Sequence, residues 1–429
     1  MVLMPKRNPR ALPVILLAIF LDLVGYGILV PVVPQLFANP DSVYYVLPPS
    51  ASLTLGYILL GFLIATYPMI QFFSAPVLGQ LSDRHGRRPI LTIALIGTAV
   101  GFLILAIGIV THNIFLLFFS RVIDGIAGGS ISVAQAAIAD LTRPKERAKH
   151  FGLIGAAYGT GFIIGPVLGG LLSDPTLISW FSITTPFLFA AALSASNAFL
   201  VYRYVGETNR RVIETPLKFH KGLADIIRAY GMKRLRAVFA TNFFFNAGIT
   251  FVATFFSVYL IDRFNMTQVG IGYYIGYAGL WIVIAQAVLV PLMSRYYDEV
   301  VLLRWSLVLG SLGIFAFYLP YTIPGLLLTG AFFALANGIS MSLLPSLASR
   351  RAPANIQGEI LGINTSVQAF SQIAPPVLAG FLAATIAPSA PVYIAGAAVG
   401  AGWLVFIAFV RREKSEDPVL RKEKQQKTP

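Results

Sequence analysis

Residues 151–171 read FGLIGAAYGTGFIIGPVLGGL, an apolar stretch with more glycine than a helix interior normally tolerates. In a helix, Gly is about 1 kcal/mol and Pro about 3 kcal/mol less favourable than Ala. Gly161, Gly165 and Gly169 recur every four residues, so they share one helix face and let a neighbouring backbone approach closely. Pro166 removes a helical hydrogen bond and bends the helix. The stretch predicts either a packing face between two parts that move in register or an ordinary small-residue helix contact.

The composition is that of an integral membrane protein. The chain has 429 residues, of which 56% are hydrophobic and only 12% charged, and its mean hydropathy is +0.75. Soluble domains carry about a quarter charged residues. The absence of cysteine excludes disulfides and thiol chemistry. The first apolar run, Ala11–Phe37, is too long for a signal peptide and is interpreted as a retained helix.

Twelve stretches reach the length of about 20 apolar residues that a helix needs to cross a bilayer. The chain is therefore expected to be an all-α integral membrane protein with twelve transmembrane helices. The predicted spans are Ala11–Phe37, Leu53–Leu78, Ile90–Val110, Asn113–Ile138, Phe151–Leu172, Phe181–Val205, Ala237–Ile261, Gly270–Met293, Val301–Tyr318, Ile323–Leu347, Ile360–Ile386 and Pro391–Val410.

The basic residues predict the orientation in the membrane. Of the 32 Lys and Arg, only Arg263 falls in an odd-numbered connection, and only Arg121 falls deep inside a span, because Arg203 and Arg304 lie within the first or last turn of theirs at the cytoplasmic ends. Because basic loops stay in the cytoplasm, both termini are expected there, in a multi-pass cell (inner) membrane protein. This asymmetry also accounts for the net charge of +14 without a nucleic-acid partner.

An internal repeat divides the chain into two halves. A shift of 210 residues superimposes Pro166-Val167-Leu168 on Pro376-Val377-Leu378, six spans later. Two parallel repeats of six helices imply a site between them near the midplane, which is a transporter architecture. The expected parts are an N-terminal half (1–205), a central cytoplasmic loop (206–236), a C-terminal half (237–410) and a disordered tail (411–429).

The central loop has one segment with helical spacing. Its apolar residues are Leu223, Ile226, Ile227 and Tyr230, interspersed with basic side chains. This pattern predicts either a short helix on the anionic inner leaflet or a solvated linker.

The turn after the second span, residues 79–89, reads GQLSDRHGRRP. Asp83 stands among three arginines, so it can pair with one of them or face a helix N-terminus of the other half. A simple positive-inside anchor needs neither the aspartate nor the glycines, and a conformational latch is the preferred interpretation. Its residues are Gly79, Asp83, Arg84, Gly86, Arg87 and Arg88.

Three charged residues lie at bilayer depth, where each costs about 2.5–3.5 kcal/mol or more. Asp22 is in the middle of the first span, where apolar surroundings favour its neutral form and suit it to carry a proton. A permanently protonated or hydrogen-bonded aspartate is the alternative. Arg121 and Asp124 are three residues apart and share a helix face, so they can simply neutralise each other.

Polar and aromatic residues at membrane depth are candidates for a substrate cavity, although contact between helices is the simpler role of each one. Aromatic rings suit a flat or cationic ligand. The candidates are Tyr26, Gln71, Tyr158, Asn242, Asn246, Trp281, Gln286, Asn337 and Gln368.

Three of these motifs resemble those of the major facilitator superfamily. The turn at residues 79–89 resembles its signature loop, and Arg121, Asp124 and Gly125 resemble its membrane-embedded arginine motif. The fifth span is similar to the motif of its drug:proton antiporters, which this chain matches at Gly152, Gly161, Gly165, Pro166, Gly169 and Gly170. The first span, with Asp22, and Asp140 look most like the tetracycline efflux group.

The resemblance implies an exporter driven by protons, with Arg121 modulating proton movement and Asp22 or Asp124 as its counter-charge. The chain is expected to act as a monomer. The expected substrates are small amphipathic or cationic compounds of the tetracycline or multidrug type. The chain departs from the tetracycline exporters at Ile282, near their histidine, and between Val301 and Tyr318, where it has no acid. These departures speak against tetracycline itself.

Other function classes fit the residues less well. A proton symporter importing a metabolite such as a sugar is disfavoured by the fifth-span motif, and a non-transporting receptor or scaffold by the burial cost of Asp22 and Arg121. The sequence contains no phosphate-binding Gly-Lys-Ser/Thr loop, and its four histidines lack metal-ligand spacing. We therefore expect no enzyme activity, no metal and no cofactor other than the proton gradient.

Overall fold

The computed structural model describes residues 10–48, 50–142, 147–208, 221–232, 235–351 and 357–416. In these ranges all regular secondary structure is helical. The first helices are α1 (Ala11–Phe37), α2 (Leu53–His85), α3 (Arg87–Val110), α4 (Ile114–Ala127), α5 (Ser130–Leu141), α6 (Arg147–Leu171) and α7 (Thr185–Tyr204). The others are α8 (Lys221–Gly231), α9 (Arg236–Phe264), α10 (Gln268–Ile284), α11 (Val290–Met293), α12 (Glu299–Ala316), α13 (Ile323–Arg351), α14 (Gln357–Ser371), α15 (Ala374–Thr385) and α16 (Ala390–Glu416).

The predicted all-helical membrane architecture is confirmed. In the described ranges, 11 helical segments are long and apolar enough to cross a membrane, counting α4 with α5, α10 with α11 and α14 with α15 as one each. The remaining predicted span is α6, whose shorter apolar part is Gly159–Leu171. The predicted tail starts later than expected, because α16 continues to Glu416; its remainder lies outside the described residues.

Three predicted spans are interrupted, each where glycine or proline weakens the helical ladder. Gly128 and Gly129 separate α4 from α5. A π-helical turn, Ala285–Leu289, joins α10 to α11 just before Pro291. In a regular α-helix the proline ring would clash with the carbonyl group four residues earlier. A short gap separates α14 from α15, which starts immediately before Pro375.

Two equivalent close contacts hold the halves together. Gly272 of α10 lies against Pro166 and Gly170 of α6, and a Cβ on it would be 2.5 Å from the Pro166 carbonyl oxygen. Gly61 of α2 lies in the same way against the Pro376 carbonyl and Gly380 of α15. Because Pro166 and Pro376 are the residues that the internal repeat superimposes, the two contacts are related by the repeat.

The glycine stripe of α6 faces a different neighbour than expected. Gly161, Gly165 and Gly169 pack on the α1 backbone, within their own half; a Cβ on Gly165 would lie 2.6 Å from the Val24 carbonyl oxygen. They are therefore a packing face inside the N-terminal half and not a face between the halves. Helix α6 contacts the other half through Pro166 and the residues beside it. At that contact the small residue, Gly272, belongs to α10.

A second part of this motif also meets the opposite half. Gly170 lies against Gln268 and Val269 at the start of α10. Gly152 lies in α6, but its surroundings are outside the described side chains. The predicted motif thus serves two interfaces, one towards α1 and one towards α10.

The two halves are closest at the end of the bundle that is remote from the chain termini. Gly272 and Gly170 are near that end, and Ser257 of α9 donates a hydrogen bond to the Val30 carbonyl of α1 (3.1 Å). Towards the other end α6 and α10 separate, so that a Cβ on Gly159 would be 3.8 Å from the nearest atom, in Val283.

The helix predicted in the central loop forms as α8 and touches both halves. Gly222 lies on Phe72 of α2, and Ser366 of α14 donates a hydrogen bond to Asp225 (3.2 Å). Ile226 packs inward, whereas the other three apolar residues of the predicted stripe, Leu223, Ile227 and Tyr230, are exposed. An outward apolar face of this kind suits contact with lipid, which stays a prediction.

Replacing Gly272 by Leu is expected to separate α6 from α10, because the new side chain has to occupy the position of a backbone carbonyl. Overpacking costs about 1–3 kcal/mol. Thermal unfolding in detergent should show a midpoint several degrees lower. Gly270→Leu is the matched control, since a Cβ there meets no atom closer than 3.6 Å. Equal midpoints for the two variants would contradict this description of the interface.

Candidate functional site

The N-terminal half has two separate hydrophobic cores with polar residues between them. Along α1 the first core ends at Ile19 and the second begins at Val24. The same change occurs between Leu95 and Phe102 in α3, and between Ala191 and Ala198 in α7. We call the residues at this level the polar layer: Asp22, Thr98, Ser120, Arg121, Asp124, Ser130, Ser194 and Asn197. All but the half-buried Asp22 are buried.

Arg121 and Asp124 form an ion pair inside this layer. Arg121 Nη1 donates to Asp124 Oδ2 at 3.0 Å, and both side chains are buried. The guanidinium lies over the Phe102 ring, 5.7 Å from its centre. Arg121 Nε and Nη2 have no hydrogen-bond partner among the described residues. The pair therefore neutralises charge, as the sequence allowed, but leaves hydrogen-bonding capacity unused.

Asp22 comes close to this pair from α1. Gly25, one turn further along, fits against Phe102, the ring beneath Arg121. The Asp22 and Asp124 carboxylates are within electrostatic range of each other. In the described ranges Asp22 has no hydrogen-bond or ion-pair partner. The structure thus brings together all three residues that the sequence assigned to proton coupling.

A small cavity between the halves shares a wall with the polar layer. Tyr26, Tyr67 and Arg121 line it from the N-terminal half, and Thr254 lines it from α9 of the other half. The two tyrosine rings are 6.0 Å apart and tilted by 46°. Most of the remaining wall is aliphatic. Of the candidate cavity residues listed in the sequence analysis, Tyr26 is the one that lines this space. Thr254 was missed, since nothing in the sequence indicates which helix faces meet here.

Gln71 holds helices together instead of lining this cavity. Its amide donates to the Gly128 carbonyl (2.9 Å), at the break between α4 and α5. Ser74 donates to the Gly125 carbonyl (2.9 Å), and Ser132 of α5 donates to the Ala75 carbonyl (3.0 Å). These bonds satisfy backbone groups and fix α2 against the interrupted helix.

The predicted polar residues of the C-terminal half form a separate group. Asn242 of α9 is buried; its amide donates to Asn364 of α14 (3.1 Å), and its side-chain oxygen accepts from Asn246 (2.7 Å). Such bonds between helices are the simpler role considered for these amides.

The other predicted cavity residues lie elsewhere. Trp281 Nε1 and Asn337 Oδ1 are buried without a hydrogen-bond partner in the described part of the chain. Gln286 lies in the π turn near Gly159, and Gln368 is half-buried in α14. The Tyr158 side chain is outside the described residues.

The turn between α2 and α3 is built around Arg87. Its guanidinium pairs with Asp83 (2.6 Å) and with Asp140 at the end of α5 (3.2 Å), and it donates to the Ser82 hydroxyl (2.5 Å). The sequence anticipated the Asp83–arginine pair. Asp140, which the sequence analysis named only for its resemblance to the tetracycline efflux group, is also part of the cluster.

The other turn residues have smaller roles in this conformation. Gly86 adopts φ +97°, which favours glycine. Arg88 donates to the Tyr202 carbonyl and stacks on the Tyr202 ring at 4.5 Å. Arg84 has a buried Nε, and Gly79 has room around it, since a Cβ there would lie 3.9 Å from the Ser132 hydroxyl.

Glu207, after α7, closes this turn and was missed by the sequence analysis. Its carboxylate accepts the backbone N–H groups of Arg87 (2.8 Å) and Arg88 (3.3 Å), the free donors at the start of α3. An acid two residues past a predicted span gives no local signal, because its partners are 119 and 120 positions earlier.

Comparison with known proteins identifies the family. The model of the Major Facilitator Superfamily matches residues 15–375 and 284–429. The chain belongs to the major facilitator superfamily. The Escherichia coli tetracycline resistance protein of class C is 31% identical over 412 residues, which are 95% of this chain and 98% of that protein. The Bacillus subtilis multidrug resistance protein 1 is 27% identical over 415 residues, 95% of this chain and 97% of that protein.

Solved structures agree with this membership at the level of the fold. A D-xylose-proton symporter superimposes with a TM-score of 0.73 at 18% identity, over 93% of this chain and 97% of its own. The human organic anion transporter MFSD10 superimposes with a TM-score of 0.69 at 21% identity, over 94% and 100%. The resemblance inferred from the motifs is confirmed: this superfamily member is a membrane transporter and not an enzyme.

The buried ion pair predicts a strong coupling between its two residues. Arg121→Met or Asp124→Leu alone leaves one unpaired buried charge and should destabilise the protein by about 3–5 kcal/mol. The double variant removes both charges and should be close to the wild type. Unfolding of the three variants in detergent measures the coupling. Additive losses in the double variant would show that the two charges do not depend on each other.

Glu207→Ala is expected to loosen the start of α3, because two backbone donors lose a charged acceptor. The cost of losing a cap is about 1 kcal/mol. Hydrogen exchange at the Arg87 and Arg88 amides should become faster, while exchange in α12 stays unchanged. Glu207→Gln keeps a neutral acceptor, so the exchange rate of these amides in this variant should lie between the rates in the wild type and in Glu207→Ala. Protection unchanged in Glu207→Ala would rule out this capping role.

Proposed function

We propose that this superfamily member is a proton-coupled exporter of small amphipathic or cationic compounds. The observation that carries the proposal is the position of Arg121, which belongs both to the polar layer and to the cavity wall. A compound in the cavity and a proton on Asp22 then act on the same buried charges. Full-length similarity to tetracycline and multidrug resistance proteins supports export as the direction.

Coupling follows from electrostatics in a medium of low dielectric constant. With Arg121 paired to Asp124, the charge of the layer is set by Asp22: neutral when protonated and −1 when not. A cationic or polarised substrate is stabilised by the deprotonated layer, and protonation of Asp22 removes that attraction. Substrate and proton therefore exclude each other, which is the requirement for exchange.

The cavity walls fit the expected substrate class. Two tyrosine faces can hold a flat or cationic group, and the aliphatic remainder can hold an apolar body. The family's sugar symporters share the fold only, at 18% identity, so sugar import is not favoured.

The proposed orientation places both termini in the cytoplasm. In that orientation the close contacts of Gly61 and Gly272 lie on the outer side, so this conformation is closed towards the outside. Separation of α2 from α15 and of α6 from α10 at this end then opens the outer side, while rocking of the halves closes the cytoplasmic side. We further propose that the transporter acts as a monomer, because substrate and proton sites belong to one chain.

Proteoliposomes with an acidic interior test the proposal. Lipophilic cations, tetracyclines and sugars are added one at a time while a pH-sensitive dye reports the gradient. A cation or tetracycline should collapse the gradient, and Asp22→Asn should abolish the response. Asp41→Asn is the control, since Asp41 is an exposed carboxyl in the loop after α1. A response to sugars alone, or none from folded protein, would overturn the proposed export of drug-like compounds.

A further inference from the structure

Asn197 is the most unusual buried residue outside the charged cluster. Its side chain is completely buried, and neither its Oδ1 nor its Nδ2 has a hydrogen-bond partner in the described part of the chain. The buried hydroxyl of Thr98 is in the same situation. Unsatisfied buried polar groups are rare because each costs about 1–3 kcal/mol. Buried polar groups of this kind point to a use of their hydrogen-bonding capacity in another state of the molecule.

Both residues are at the level of Asp22. Asn197 lies in α7 between the two hydrophobic cores, on the face that packs towards α1 and α3. In α1, Asp22 precedes Gly25 by three residues; in α3, Thr98 precedes Phe102 by four. Because Gly25 fits against Phe102 and the two helices run in the same direction, Asp22 and Thr98 are one turn below this contact, on adjacent helices.

The other groups around Asp22 cannot stabilise its ionised form alone. From α4, Asp124 repels a second carboxylate, and Arg121 is already paired with Asp124. From α6, the described contact is made by Gly161, which lies on the α1 backbone. The remaining titratable side chains at the adjoining cavity, Tyr26 and Tyr67, are neutral phenols. The remaining donors in the polar layer that can stabilise an ionised Asp22 are the Asn197 amide of α7 and the Thr98 hydroxyl of α3.

We infer that Asn197, together with Thr98, is a positioning residue that donates hydrogen bonds to the Asp22 carboxylate after it releases its proton. The inference rests on the proposed function. It explains why two buried polar groups stay unpaired in this conformation, since a protonated Asp22 needs no donors. Bringing the partners together requires a shift of α1 against α3 and α7 within the N-terminal half, in addition to the rocking of the halves against each other.

Asn197→Leu tests this role in the proteoliposome assay, with the substrate that drives proton flux in the wild type. Without the donor the ionised carboxylate is less stable, so Asp22 keeps its proton to higher pH. The pH of half-maximal exchange should move upward by about one unit, as expected for one lost hydrogen bond to a charged group. Thermal stability in detergent should be unchanged or higher, because the variant removes an unsatisfied polar group.

Thr98→Val is the second variant and should shift the profile in the same direction, also if Asn197→Leu does not fold. Thr241→Val is its matched control, because Thr241 is equally buried but donates to the Gly402 carbonyl (3.4 Å) in the other half. In an Asp22→Asn background, the pH dependence of substrate binding should not respond to Asn197→Leu. A wild-type pH profile in folded Asn197→Leu and Thr98→Val overturns the inference. Absence of proton flux in the wild type overturns the proposed function instead.

Discussion

The architecture depends on two places where backbone touches backbone across the halves. At each of them a glycine lies on the carbonyl of a proline, Gly272 on Pro166 and Gly61 on Pro376. A side chain at either glycine would separate the helices. Both contacts lie near the same end of the bundle, within the two helix pairs, α2 with α15 and α6 with α10, that join the halves. The same repeat that makes the contacts equivalent places the cavity between them.

The polar layer lowers the stability of the N-terminal half relative to a fully apolar core. A continuous apolar core would be more stable, yet the two cores are separated by an ion pair, a lone carboxyl and several unpaired donors. In lipid such groups have no solvent to satisfy them. These groups are tolerated because the layer is enclosed by protein. In this enclosed place the gain or loss of one proton changes the electrostatic field in the neighbouring cavity.

The sequence predicts the spans well, because length, hydropathy and basic loops depend on each segment alone. It also identifies Asp22, Arg121 and Asp124, since a charge in an apolar run is visible without a fold. It fails where a property belongs to a pair of helices. The α6 glycines were expected between two moving parts but pack on α1 within one half. For Gln71 the sequence left a cavity role and a contact between helices open, and the structure shows the contact, with the Gly128 carbonyl. Glu207 and Asn197 carry no local signal at all, because their roles come from partners distant in sequence.

The hydrogen bonds between α2 and the interrupted α4–α5 helix have a mechanical consequence. Hydrogen bonds of Gln71, Ser74 and Ser132 connect the two helices on both sides of the glycine break, so α2 and α4–α5 form one unit. The Arg87 cluster is at one end of this pair of helices and Gly61 is towards the other, while Arg121 is in α4 between them. The Arg87 cluster at the membrane surface and the buried guanidinium of Arg121 are therefore joined through one pair of hydrogen-bonded helices.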